Sequence, residues 1–180
     1  MPSFNGVPVL VTGAGRGIGK RLSIGFAAKG ARVALVARSK AELDLCHLEI
    51  EHAGGSALRI RADVTDFEQM SAAVERTRVH FNRGVQVLIC AAGIQGPIGP
   101  FVESAPKVWA DLLQTNLIGV LQSLAVALSS LSPAQVTAAE RLAPVLDKPD
   151  PERGRATPGT APRLPQRPAR ARQPARPSGG

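Results

Sequence analysis

A glycine-rich turn near the amino terminus, TGAGRGIG at residues 12–19, constrains this chain more than any other feature. An apolar run, VPVLV at residues 7–11, enters the turn, and a segment with helical spacing of apolar side chains leaves it. Glycine permits backbone conformations and close approaches that a Cβ would block. A strand, a glycine turn and a helix N-terminus direct free N–H groups and the positive end of the helix dipole at one small volume. The pattern therefore predicts an anion site, and a pyrophosphate suits it best.

Glycines are common in turns, but here a second apolar run follows the helix at the distance that a strand–helix–strand unit requires. Such runs alternate with helical spacing through the first 131 residues, which predicts an α/β fold with a parallel sheet. Right-handed crossovers make it doubly wound, with helices on both faces. The predicted strands are residues 7–11, 32–37, 57–61 and 85–90, and the predicted helices are one ending before Gly30, then 39–53, 67–81 capped by Asp66, and 107–131.

The residues at the predicted strand ends indicate which dinucleotide the turn would hold. At the tip of the second strand an acidic side chain favours a free ribose 2′-hydroxyl and a basic one a 2′-phosphate. Arg38 occupies this position, and Arg16 in the glycine turn offers a second guanidinium. We therefore predict NADP(H) over NAD(H), the alternative being that both arginines are ordinary solvated charges. Asp63, after the third strand, is either a site residue or a solvated loop acid.

Composition narrows the class of protein further. Among the 180 residues are two cysteines, Cys46 and Cys90, too few for a disulfide framework, which favours a reducing compartment. His47 and His52 share a predicted helix with Cys46, but their spacing does not place three ligands together, so surface histidines and no metal are expected. The start of the chain has no signal-peptide pattern and no run of about 18 apolar residues marks a membrane span, so we expect a cytoplasmic protein.

About residues 5–130 resemble the amino-terminal part of the short-chain dehydrogenase/reductase family. Residues 12–19 match its TGxxxGIG turn, Asp63-Val64 its adenine-contacting pair, and residues 90–93 its NNAG motif with departures at Cys90 and Ala91. Asn116 matches an assisting catalytic position. The resemblance implies a Rossmann-type subunit whose cofactor-binding residues are Thr12, Gly13, Gly15, Arg16, Gly17, Ile18, Gly19, Arg38, Asp63, Val64, Cys90, Ala91, Ala92 and Gly93.

The same resemblance implies hydride transfer between NADP(H) and an alcohol or carbonyl. In that family a tyrosine exchanges the hydroxyl proton, a lysine three or four positions on lowers its pKa, and a serine orients the substrate. These 180 residues contain no tyrosine, so the YxxxK element is absent. Asn116 therefore has no catalytic tyrosine and lysine whose proton transfer it could assist. We therefore expect a form without activity of its own, or alternatively a non-catalytic nucleotide-binding or interaction protein.

The match weakens near Ser129, and the last 37 residues, 144–180, contain nine prolines. Residues 145–180 also hold eight basic and three acidic residues, which supplies +5 of the net charge of +8. Such a segment cannot bury enough apolar surface to fold, so we predict an incomplete domain at 1–143 and a disordered basic tail at 144–180. A truncation or reading-frame change is one explanation, and an evolved arm for nucleic acid or a proline-recognising partner is the less favoured one.

An α/β domain that stops after about four strands would leave the fourth strand as an exposed apolar edge. The long helix at 107–131 would also lack a packing partner. We expect marginal stability and a tendency to associate, through that helix, with a second copy or a full-length homologue.

Overall fold

The apolar runs of the sequence lie side by side as a four-stranded parallel sheet in the order β3-β2-β1-β4. The computed structural model describes residues 4–131. The strands are β1 Pro8–Thr12, β2 Arg32–Ala37, β3 Ser56–Arg61 and β4 Val87–Cys90. The helices are α1 Gly17–Ala27, α2 Lys40–His52, α3 Phe67–Phe81, α4 Pro106–Leu113 and α5 Gly119–Ser129. The predicted α/β class with a parallel sheet is confirmed.

The sheet separates two apolar cores, which is the doubly wound arrangement that was predicted. Alternate residues of a strand point to opposite faces, and all five residues of β1 are buried. Leu10 and Val36 pack with Met70 of α3 and Val126 of α5 on one face. Val9, Val11, Val33 and Leu35 pack with Leu43, Cys46 and Ile50 of α2 on the other. Helices therefore cover both faces of the sheet.

Helix ends follow local chemistry closely. The Asp66 carboxylate accepts a hydrogen bond from the backbone N–H of Gln69 at 3.0 Å, which confirms the predicted cap of α3. Ser39 accepts from the N–H of Glu42 at 3.3 Å and caps α2 in the same way. At the other end of α3 the chain turns through Asn82 in the left-handed region, at φ +50°. Both bounds of α3 agree with the sequence prediction.

The predicted helix over 107–131 differs from the observed one in two respects. A π-helical turn, Gln114–Ile118, separates α4 from α5, and α5 ends at Ser129. Its apolar residues are also less buried than predicted, because five leucines, at positions 113, 117, 121, 124 and 128, are exposed. By length and composition alone, the helical segment at residues 106–129 could cross a membrane. This is weak evidence, because core helices of soluble proteins meet the same two criteria.

Strand β4 begins at Val87 and not at residue 85; before it, Val85 is buried in the core and the N–H of Gln86 bonds to the carbonyl of Pro8. Within residues 4–131, β4 pairs with β1 alone, and its four residues are half-buried. This part of the chain therefore has the apolar edge strand that was predicted.

Two further sequence predictions concern the histidines of α2 and metal binding. The side chain of His47 is only 12% exposed, so the prediction of a surface histidine is wrong there, since this turn of α2 faces the core. Across residues 4–131 no group of three metal-ligating side chains is present. The domain boundary at 143/144 and the tail at 144–180 lie outside the described residues.

Candidate functional site

A cleft of about 610 Å³ opens at the carboxyl ends of β1, β2 and β4. This is the edge at which parallel sheets bind ligands. Eleven of the fourteen residues predicted to bind a cofactor line it. They are Gly13, Gly15, Arg16, Gly17, Ile18, Arg38, Asp63, Val64, Ala91, Ala92 and Gly93. The other three, Thr12, Gly19 and Cys90, do not line the cleft, and neither does Asn116.

The glycine turn is packed tightly against the end of β4. A Cβ added at Gly13 would lie 2.6 Å from both the Ala91 carbonyl oxygen and the Ala92 nitrogen. Gly19 faces the carbonyl of Gly13 so closely that a side chain there would overlap it. These glycines therefore bring the turn, the start of α1 and the β4 loop together in a way that larger residues would prevent.

The cleft side of the same turn is open. Gly17, the first residue of α1, has φ +56°, and a Cβ added to it would meet no atom within 4 Å. Arg16 stands at the helix N-cap, and its side chain makes no capping hydrogen bond. The N–H groups of the first turn thus have no side-chain cap, which leaves them suited to an anion.

Thr12, which does not itself line the cleft, links β1 to β4 and its loop at this edge of the sheet. Its side chain is buried, its hydroxyl donates to the Ile89 carbonyl at 3.4 Å, and it accepts from the N–H of Ala92 at 3.3 Å. Thr12 therefore ties β1 to β4 and fixes the loop that contains Ala92. The neighbouring Cys90 is half-buried, and burial raises the pKa of its thiol, so it remains protonated at neutral pH.

Arg38 and Asp63 lie together at the end of the cleft where the sequence predicts the adenosine ribose of the dinucleotide. Arg38 Nη1 lies 3.7 Å from Asp63 Oδ2, and their side chains are 64% and 30% exposed. Asp63 Oδ1 also accepts hydrogen bonds from the N–H and the hydroxyl of Thr65, at 3.0 and 2.9 Å. Asp63 therefore organises its turn and faces a cation, and its role as a site residue stays a prediction beside the alternative of a solvated loop acid.

Six residues that line the cleft were not among the predicted cofactor-binding residues: Val36, Ala37, Ser39, Glu42, Ala62 and Thr115. Sequence reasoning treated two of them, Ser39 and Glu42, as part of an ordinary amphipathic helix. The signal was available: the helix that follows β2 begins at the carboxyl edge of the sheet, so its first turn borders any ligand there. Glu42 packs directly on the glycine turn. A Cβ on Gly15 would lie 2.7 Å from Glu42 Cβ and 2.9 Å from its Oε2.

Asn116 lies in the π-helical turn and binds the loop after β4. Its Oδ1 accepts from the N–H of Ile94 at 2.9 Å, and its Nδ2 donates to the Ile94 carbonyl at 3.0 Å. Gly93 passes so near that a Cβ there would lie 3.2 Å from Oδ1. The amide thus joins the helix to the loop, while the adjacent Thr115 lines the cleft.

The parallel sheet, the glycine turn opening α1 and the cleft at the strand ends define an α/β domain of the dinucleotide-binding class. The family profile described as short chain dehydrogenase matches residues 8–138, and the chain belongs to this family. The match continues beyond Ser129, where the sequence prediction had it weaken. Members of this family bind a nicotinamide dinucleotide.

Two curated relatives are similar over the same region. Gluconate 5-dehydrogenase of Gluconobacter oxydans is 39% identical over 121 residues, which are 66% of this chain and 45% of that protein. Galactitol 2-dehydrogenase (L-tagatose-forming) of Cereibacter sphaeroides is 37% identical over 117 residues, 65% of this chain and 44% of that protein. The chain therefore spans about half the length of the relatives it matches.

Solved structures agree on the fold. A short-chain type dehydrogenase/reductase from Mycobacterium marinum superimposes with a TM-score of 0.66 at 31% identity, covering 69% of this chain and 50% of the other. A variant of actinorhodin polyketide ketoreductase, solved with NADPH, gives the same score and identity over 71% of this chain and 48% of the other.

Proposed function

We propose that these 180 residues bind NADP(H) through its adenosine and pyrophosphate half and do not catalyse hydride transfer by themselves. The observation that carries the proposal is the open glycine turn at the cleft, with Arg16 and Arg38 on the same rim. The turn combines uncapped N–H groups with space in front of Gly17. That combination suits a pyrophosphate, and two guanidinium groups suit the additional 2′-phosphate.

Each part of the cleft has a role in this proposal. The turn from Gly13 to Ile18 would receive the pyrophosphate on its N–H groups, and Arg16 with Arg38 would hold the 2′-phosphate. Asp63 and Val64 would contact the adenine, as the family resemblance implies. The small residues at 91–93 would let the second ribose approach the backbone. When bound, the dinucleotide supplies a nicotinamide that accepts or donates hydride.

Turnover requires more than this half of the site. A carbonyl that receives hydride develops alkoxide charge, which needs a proton donor within hydrogen-bond reach. The 180 residues contain no tyrosine to serve as that donor. Asn116, the matching assisting position, already uses its amide on the backbone of Ile94. We therefore propose that this chain derives from an enzyme that oxidises alcohols or reduces carbonyls. It does not perform this reaction unaided.

Titration calorimetry of the 180-residue chain with NADP⁺ and NAD⁺ tests the proposal. We expect tighter NADP⁺ binding, and we expect Arg38→Ala to weaken NADP⁺ by about tenfold or more while leaving NAD⁺ nearly unchanged, because it removes a charge-assisted contact. Arg59→Ala is the matched control, since Arg59 lies outside the cleft and pairs with Asp44 on α2. Tighter NAD⁺ binding, or NADPH oxidation with any of a set of carbonyl substrates, would contradict the proposal.

A second candidate is an interaction protein that associates through the long helical segment, and the exposed leucines of α4 and α5 favour it. The occupant would be a second copy or a full-length homologue. Light scattering should then show concentration-dependent association, reduced by Leu121→Glu and not by Ala41→Glu on the exposed side of α2. A monomer at all concentrations would rule this candidate out. A cytoplasmic location, without a membrane or nucleic-acid partner, remains our prediction.

A further inference from the structure

A third arginine lies beside the ribose end of the cleft, and neither the sequence motifs nor the comparisons assign it a role. Arg61 is the last residue of β3 and pairs in register with Ala37, the last residue of β2. Its Nε donates a hydrogen bond to the backbone carbonyl of Arg38 at 3.1 Å. The guanidinium of Arg61 therefore lies against the backbone of the residue that we propose holds the 2′-phosphate.

The backbone fixes the position of Arg61 as well. The N–H of Ala62 bonds to the carbonyl of Ala37 at 3.1 Å, so β2 and β3 stay paired up to the edge where the cleft opens. Ala62 lines the cleft, whereas Arg61 stands just outside it. The Arg38 side chain is 64% exposed, so a phosphate bound to it would lie at the outer edge of the cleft. A cation beside the cleft can reach that edge from outside.

The charge of Arg61 is not offset at close range in the part of the chain that the structure describes. Arg61 is exposed, and within residues 4–131 no carboxylate oxygen lies within 4.0 Å of its nitrogens and its Nη groups make no hydrogen bond. Arg38, in contrast, faces Asp63 at 3.7 Å. Arg59, two positions before Arg61 on the same face of β3, bonds to Asp44 at 2.6 Å. The Nη groups of Arg61 are therefore available to an anion.

The strand order separates the effect of Arg61 on the two phosphate positions of the proposed ligand. β3 is adjacent to β2, whose end leads into Arg38, but it lies two strands from β1, whose end leads into the glycine turn. Because neighbouring strands are about 4.8 Å apart, the end of β3 is about 5 Å from the end of β2 and about 10 Å from that of β1. The longer distance is about one screening length in 0.1 M salt. Arg61 therefore acts more strongly on a 2′-phosphate at the end of β2 than on a pyrophosphate at the glycine turn.

We propose that Arg61 is a specificity-determining residue that adds a positive charge beside Arg38 and so strengthens the preference for NADP(H) over NAD(H). This inference rests on the proposed dinucleotide site. The bond from Nε to the Arg38 carbonyl holds the guanidinium in place, and its free Nη groups and its charge attract the 2′-phosphate. That phosphate carries nearly two negative charges, whereas a 2′-hydroxyl carries none.

The test compares 2′-phospho-ADP-ribose with ADP-ribose, which differ only in the phosphate, by titration calorimetry of the 180-residue chain. In 0.1 M salt, Arg61→Gln should weaken 2′-phospho-ADP-ribose by about fivefold and leave ADP-ribose within about twofold. Arg61→Lys keeps the charge and should stay within about twofold of the wild type for both ligands. Arg59→Gln is the matched control, because it removes a cation from the same face of β3 that is further from the cleft and already paired with Asp44. It should change neither affinity by more than about twofold.

These variants separate the charge of Arg61 from its hydrogen bond to Arg38. If Arg61 only held the Arg38 backbone, Arg61→Gln, whose amide can also donate, would keep the wild-type affinities, and this result would overturn the inference. A loss that is equal for both ligands, that is as large in Arg61→Lys, or that is undiminished at 1 M salt, where the screening length is about 3 Å, would overturn it as well. If the wild type binds both ligands and Arg61→Gln discriminates equally well, the inference alone fails. If the wild type binds neither, the proposed function fails first and the inference fails with it.

Discussion

Replacing Gly13 with alanine should destabilise the fold by about 2–5 kcal/mol, because two separate costs add. Gly13 has φ +66°, a conformation that costs an L side chain about 1–2 kcal/mol. The new Cβ would also lie 2.6 Å from the Ala91 oxygen and the Ala92 nitrogen, where ordinary contact begins at 3.4 Å. Both neighbours are backbone atoms, so the turn or the end of β4 must move, and overpacking of this kind costs about 1–3 kcal/mol.

The variant Gly54→Ala isolates the first cost. Gly54 has φ +74°, but an added Cβ there meets no atom within 4 Å, and the residue is exposed, away from the cleft. It should lose only about 1–2 kcal/mol. Urea unfolding followed by circular dichroism gives the free energy of unfolding for both variants from the midpoint and slope. Equal losses would refute the reasoning, because they would mean that the glycine turn does not press on the β4 loop.

Two further predictions concern the cap of α3 and the hydrogen bonds of Asn116. Asp66→Ala should lower Tm more than Asp66→Asn, which keeps a capping oxygen. The hydrogen bond from the Gln69 N–H, followed by that from its side chain, holds the pKa of Asp66 below its usual value. Its contribution to stability is thus complete above the unfolded value of about 4 and is lost as pH falls through the lower folded value, so the Tm of the wild type should approach that of Asp66→Ala in acid. Asn116→Ala should remove two hydrogen bonds, costing about 0.5–1.5 kcal/mol each, and speed amide exchange at Ile94; unchanged exchange there would contradict the role assigned to Asn116.

Local chemistry made much of the fold predictable from the sequence. The bounds of α3 follow from Asp66 as its cap and from its apolar spacing, and β1 and β2 follow from continuous apolar runs. The glycine turn was predictable because its conformations exclude other residues. In each case the residues that predict an element lie within that element or a few positions from it in the sequence.

The features that sequence reasoning missed depend on contacts between distant segments. Glu42 borders the cleft only because α2 packs onto the turn at Gly15, and Asp63 meets Arg38 only because β2 and β3 are neighbours. The π-helical turn around Asn116 accompanies a bond to Ile94, which is 22 positions away. No spacing within the helix itself indicates such a turn.

The position of β1 in the sheet has a consequence for the order in which the fold forms. Val9 pairs with Val33, 24 positions away, and also with Val87, 78 positions away. Closing the longer loop costs about 1 kcal/mol more chain entropy than closing the shorter one. On this ground we expect β1, β2 and β3 to assemble first through short crossovers and β4 to dock last. Because the cleft needs the residues that follow β4, we then expect the nucleotide site to be among the last parts of the domain to form.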